Sequence, residues 1–157
     1  MENRVNHASV SFDAYSINEG FARMVVMGFL MEMNPTMDEL QDVKTAVSEA
    51  VTNAIIHGYA GAKTCGQACP QVELLCEREG NRVRIVVEDH GVGIADIDEA
   101  RQPFFTTKPE EERSGMGFAF METFMDEVRV SSELGKGTRV EMTKYIASEG
   151  QKEACGE

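Results

Sequence analysis

A carboxylate followed by two glycines, Asp89-His90-Gly91-Val92-Gly93, closes the β-branched run Val83-Arg84-Ile85-Val86-Val87-Glu88. A strand that stops at an acid holds it rigidly at a sheet edge. Glycines there let backbone approach a flat ligand where a Cβ would block it. Asp and Gly are also ordinary turn residues, so this stretch alone is a weak signal. Two further pieces strengthen it. Upstream, Glu49-Ala50-Val51-Thr52-Asn53 sets a carboxylate and an amide four residues apart, which stacks them on one face of a helix. Downstream, Gly115-Met116-Gly117 opens a helical run, and free N–H groups at a helix start suit phosphate. The three pieces together suggest a nucleotide site.

The elements that must position them are readable from periodicity. Ala8-Ser9-Val10-Ser11-Phe12 alternates as a first strand. Ser16-Ile17-Asn18-Glu19 has capping-box spacing, and a helix should follow. On it Phe21, Met24, Val25, Gly28 and Phe29 share a face, but Ala22, Val26, Met27, Leu30 and Met31 are apolar too. Such a helix either lies deep in the core or meets a second chain, with Arg23 on the rim. Asn34-Pro35 breaks it. Thr36-Met37-Asp38-Glu39 is a second capping box for a helix running to about His57, with Leu40, Val43, Val47, Ala50, Val51 and Ala54 as its buried stripe. Glu49, Asn53 and His57 then form a separate polar strip. His57 is open between contacting phosphate and capping the helix end.

Two strands joined by Glu79-Gly80-Asn81 read as a hairpin, with Val72, Leu74 and Cys76 facing Val83, Ile85 and Val87. Residues 94–114 lack periodicity and suit a lid. After the helix that starts near Gly117, Val128 and Val130 mark one strand and Thr138, Val140 and Met142 the last. The fold class expected is α+β: a two-layer sandwich whose mixed, mostly antiparallel sheet of about five strands carries helices on one face. Residues 1–147 read as one domain and 148–157 as a polar tail.

The 157 residues suit one domain with a real core. A net charge of −12 argues against direct nucleic-acid binding. No stretch is long and apolar enough to span a membrane, and the N-terminus lacks a signal-peptide core. The expected location is therefore cytoplasmic, with Cys65, Cys69, Cys76 and Cys155 as reduced thiols. Their spacing makes no convincing zinc pattern.

Glu49…Asn53, Asp89-x-Gly91-x-Gly93 and Gly115-x-Gly117, in this order, resemble the GHKL (Bergerat) ATP-binding superfamily. Longer runs resemble one branch of it, the anti-sigma F factors of spore-forming bacteria. These runs are Pro35–Leu40, Val47–Tyr59, Ala100–Pro103, Phe105–Pro109 and Glu112–Phe118. The resemblance spans about Val10 to Lys144. The loop Ala62–Pro70 is longer than the family pattern, and the tail is variable.

The resemblance implies a homodimer that uses ATP/ADP and Mg²⁺, inhibits the sporulation sigma factor F, and phosphorylates a serine on an anti-anti-sigma factor. It implies Asn53 as magnesium ligand, Glu49 as general base, Asp89 as acceptor for the adenine amino group, and Thr138 at the adenine end. Gly91 and Gly93 pass close to the base. Gly115 and Gly117 face phosphates, with Phe118 beside them. Arg113 is placed to reach the terminal phosphate, where a guanidinium stabilises developing charge. Thr107 and Lys108 are further nucleotide-contacting candidates. Alternatives are a stress-response-type anti-sigma kinase and a nucleotide-controlled binding module without phosphoryl transfer. A histidine-kinase catalytic domain would need a His-bearing hairpin, and a gyrase-type ATPase a transducer segment.

Overall fold

The computed structural model describes residues 4–58, 70–94 and 117–147. They form a five-stranded sheet in the order β1-β2-β3-β5-β4, and all four ladders are antiparallel. The strands are β1 (Asn6–Asp13), β2 (Gln71–Glu79), β3 (Arg82–Asp89), β4 (Glu127–Glu133) and β5 (Gly137–Tyr145). The helices are α1 (Asn18–Leu30), α2 (Met37–Asn53) and α3 (Gly117–Phe124). The α+β two-layer expectation holds, and within it every described strand pair runs antiparallel.

Strand alternation divides the sheet. Val72, Leu74 and Cys76 of β2, Val83, Ile85 and Val87 of β3, Val128 of β4, and Val140 and Met142 of β5 are buried in one cluster with the helices. The opposite face carries ion pairs instead. Arg84 bridges Glu77 and Glu141 at 3.2 and 3.0 Å, and Arg139 lies 3.9 Å from Glu88. A shallow groove of about 240 Å³ runs over that face between Ser9, Leu75, Glu88 and Arg139, away from the helices. The β2–β3 hairpin turns on Gly80 at φ +59°, the conformation a two-residue hairpin requires of its first central residue.

The second capping box forms in full. Thr36 Oγ1 accepts from Glu39 N–H at 3.1 Å, and Glu39 Oε1 accepts from Thr36 N–H at 2.8 Å. The first box does not form. Ile17 is already helical, and Glu19 N–H donates to the Ser16 carbonyl, not its hydroxyl. On α1 the buried residues are Ala22, Val26 and Leu30, while Phe21 and Met24 of the expected face point outward. Ile17, Phe21, Met24 and Met31 thus make an exposed apolar stripe at helical spacing.

Helix α2 ends sooner than its polar strip implies. Ala54–Gly58 is a π-helical segment, so the α-helical four-residue period ends at Asn53. Such segments loosen the turn and often mark functional sites.

Candidate functional site

One end of the sheet gathers the described candidates, and the opposite end shows why. Lys144, near the end of β5, donates to the Phe124 carbonyl at 2.7 Å and to Asp42 Oδ2 at 3.3 Å. It therefore ties the C-terminal end of α3 and the early turns of α2 to one point on β5. Glu39 Oε2 accepts from Ala147 N–H nearby at 2.8 Å. From Asp42, α2 rises about 16 Å to Asn53. From Lys144, β5 runs back about 20 Å to Thr138. Glu49 and Asn53 thus lie toward the Thr138 end of the sheet. The π-helical segment after Asn53 packs on β3 and β5. Helix α3 also starts, at Gly117, toward this end, with Phe118 buried behind it.

Asp89 ends β3 directly across from Thr138. Its side chain faces the helical layer and is 4% exposed. Gly91 N–H donates to Asp89 Oδ1 at 2.9 Å, which fixes the plane of the carboxylate. Burial pushes the Asp89 pKa above its ordinary 3.8, while the backbone amides of Gly91 and Thr138 pull the other way. The outcome is a rigid, desolvated acceptor.

Glycine is obligatory around it. A Cβ on Gly137 (φ +117°) would overlap the Asp89 carbonyl and stand 2.7 Å from His90 Cα. A Cβ on Gly93 (φ +76°) would overlap the Glu133 carbonyl and stand 3.1 Å from Leu134 Cα. The two glycines let the loop after β3 lie against the β4–β5 turn. Gly135 N–H donates to the Val92 carbonyl at 2.9 Å, and Ile94 N–H donates to Ser132 Oγ at 2.7 Å. Gly91 is half-buried in the same loop.

Ser132 was not singled out from sequence. A lone serine on a strand gives no periodic signal, although its position opposite Thr138 follows once the β4–β5 register is known. Lys144 was missed for a similar reason: it reads as one more strand lysine. Glu49 and Asn53 are half-buried on α2. Thr107, Lys108, Arg113 and Gly115 lie outside the described residues, as do the 95–114 part of the lid, the Cys65/Cys69 loop and the tail 148–157.

The family described as histidine kinase-like ATPase domain matches residues 14–144. The chain is 55% identical over 141 residues to a protein named Anti-sigma F factor from Geobacillus sp. (strain WCH70), covering 90% of this chain and 93% of that one. The chain belongs to the anti-sigma F factor family of histidine kinase-like ATPases. Two further members show the same reach. The Geobacillus thermodenitrificans protein is 56% identical over 142 residues, covering 90% of this chain and 94% of its own. A Bacillus cereus protein is 50% identical over 143 residues, covering 91% and 94%. Among solved structures, the RsbU and RsbW domains of a Mycobacterium tuberculosis protein align with a TM-score of 0.61 at 21% identity. That alignment covers 90% of this chain and 32% of the other, and it supports the fold alone. For a histidine kinase-like ATPase domain, which implies nucleotide binding, the residues present fit such a ligand. They supply a buried acceptor, a loop whose glycines let it pack on the β4–β5 turn beside that acceptor, and a helix start turned toward the same end.

Proposed function

We propose that this chain is an ATP-dependent anti-sigma factor and serine protein kinase. It binds and silences the sporulation sigma factor F and phosphorylates a serine of its anti-anti-sigma factor. The observation that carries the reading is Asp89. It is a buried carboxylate oriented by Gly91 N–H and closed in by Gly93 and Gly137, at the sheet end toward which Glu49 and Asn53 lie. The identity of 50–56% to proteins named Anti-sigma F factor favours the sporulation type over the stress-response type.

In this reading Asp89 accepts from the adenine amino group, with Thr138 beside it. Asn53 offers an amide oxygen to Mg²⁺, a hard ligand suited to that ion. Bound with the nucleotide, magnesium supplies neutralisation of phosphate charge. Gly115 and Gly117 present N–H groups to the phosphates, and Thr107, Lys108 and Arg113 add donors to them. Glu49, one helical turn from Asn53, orients the partner's serine hydroxyl and takes its proton as the oxygen attacks. The exposed stripe of Phe21 and Met24 on α1 with its flanking residues Ile17 and Met31 supports a homodimer or partner contact. The site of action would be the cytoplasm, where sigma factors work.

The test is incubation with labelled ATP, magnesium and candidate anti-anti-sigma protein. Phosphoserine on the partner is expected. If ATP binds and the sigma factor is held without any label on the partner, the kinase half of the reading fails. The chain is then a nucleotide-controlled binding module.

A further inference from the structure

Ser132 sits on β4 across from Thr138, and Thr138 sits across from Asp89 on the next ladder, so the three share the inner face of the sheet. Ser132 Oγ has three close partners. Ile94 N–H donates to it at 2.7 Å. The Gly137 carbonyl lies 2.9 Å away as an acceptor, and Thr138 Oγ1 lies at 2.9 Å with either oxygen able to donate. A serine hydroxyl has one proton and two lone pairs. Ile94 occupies one lone pair. The proton must point at Gly137, because two oxygens at 2.9 Å with no hydrogen between them repel. Thr138 must therefore donate its own proton to Ser132. That leaves only lone pairs on Thr138 Oγ1.

We propose that Ser132 is a positioning residue that fixes the polarity of the Thr138 hydroxyl, and so makes the site read an amino group on a purine over an oxo group. The proposal rests on the reading that a purine nucleotide lodges beside Asp89. Asp89, held as a carboxylate, accepts only. Thr138, with its proton committed, accepts only as well. A purine edge bearing an amino group brings donors to this pair, whereas an oxo group at the same place meets lone pairs alone. Without Ser132 the Thr138 hydroxyl is free to rotate and donate, and the penalty on the oxo purine falls.

The test uses the full chain and two ligands that differ along this edge, ATP (6-amino, bare N1) and inosine triphosphate (6-oxo, N1–H), with affinities from calorimetry. Wild type should favour ATP. Ser132→Ala should shrink the ratio of the two affinities by about tenfold, the weight of one buried hydrogen bond. Ser132→Thr, which keeps the hydroxyl and suits a strand, should hold the wild-type ratio. In a Thr138→Val background, Ser132→Ala should no longer move it. If Ser132→Ala weakens both nucleotides equally, Ser132 only braces the loop and the proposal is overturned. If wild type binds neither nucleotide, the site reading itself fails. Should Ser132→Ala not fold, NMR of wild type reads the polarity directly. A slowly exchanging Thr138 hydroxyl proton directed at Ser132 is expected, and a Ser132 proton directed at Thr138 overturns the proposal.

Discussion

Asp89→Asn separates recognition from folding at the proposed base site. The amide keeps the shape of the carboxylate. Gly91 N–H sits 2.9 Å from Oδ1, so the asparagine oxygen must stay there, since the NH₂ in that place would set donor against donor. The NH₂ then replaces the second carboxylate oxygen, and a donor faces the adenine amino group. Losing a charge-assisted hydrogen bond costs about 1.5–3 kcal/mol, or about 10- to 150-fold in Kd. Stability should move the other way. Burial raises the Asp89 pKa above the unfolded 3.8, so the folded state holds this proton more tightly than the unfolded state does. Its contribution to stability is therefore present at low pH and lost as pH rises through the raised value. At neutral pH the charge is a cost that Asn removes, so Tm should hold or rise. ATP affinity of wild type should weaken as pH falls through that raised pKa. The ratio of wild type to Asp89→Asn isolates this effect from the nucleotide's own titration. Calorimetric binding with a thermal melt checks both halves. Binding within about threefold of wild type refutes the acceptor role, and a loss of binding that tracks a lowered Tm makes Asp89 a structural residue.

Glu49→Gln should cut phosphoryl transfer by at least about 100-fold while ATP binding persists, measured as phosphoserine formation beside nucleotide affinity. Gly137→Ala must place a Cβ against the Asp89 carbonyl at φ +117°, so a loss of about 2–4 kcal/mol and of ATP binding is expected by denaturant melts and calorimetry. Lys144→Met leaves the Phe124 carbonyl and Asp42 without their shared donor; it should cost about 1–2 kcal/mol, lowering Tm by about 2–8 °C. Met24→Lys puts a charge in the α1 stripe, where Met24 is 69% exposed; light scattering should show a smaller assembly with Tm unchanged.

The parts of the fold that were legible in the sequence are those where one local rule acts alone. The β2–β3 hairpin followed from alternation around Gly80, and the Thr36–Glu39 box from its spacing. The inner faces of β2, β3 and β5 followed from the two-residue period. Legibility failed where two rules compete. Ser16 and Glu19 have box spacing, but spacing does not say which serine oxygen accepts, and the carbonyl won. Helix α1 is apolar on several sides, so periodicity could not choose its core face; packing placed the small Ala22 with Val26 and Leu30 inside. The strip Glu49, Asn53, His57 assumed one helical period, which stops at Asn53. Asp89 and its glycines were readable because the chemistry is local. Ser132 was not, because its partners Ile94 and Thr138 meet it only through β4–β5 pairing and the return of the loop after β3.

The two ends of the sheet do different work. At the Lys144 end, hydrogen bonds link separate elements: Lys144 to α2 and α3, Glu39 to Ala147, Asp126 Oδ2 to Tyr145 N–H at 2.7 Å, and Ile146 N–H to the Asn81 carbonyl at 2.8 Å. These fasten the C-terminal end of β5 to its neighbours whatever the other end does. At the Asp89 end, the bonds run between a glycine-rich loop and a turn: Gly91 to Asp89, Gly135 to Val92, Ile94 to Ser132. Their glycines carry extra conformational entropy. A fold arranged this way can let the nucleotide end rearrange without loosening the core. A ligand there can bias only segments whose own stability is small.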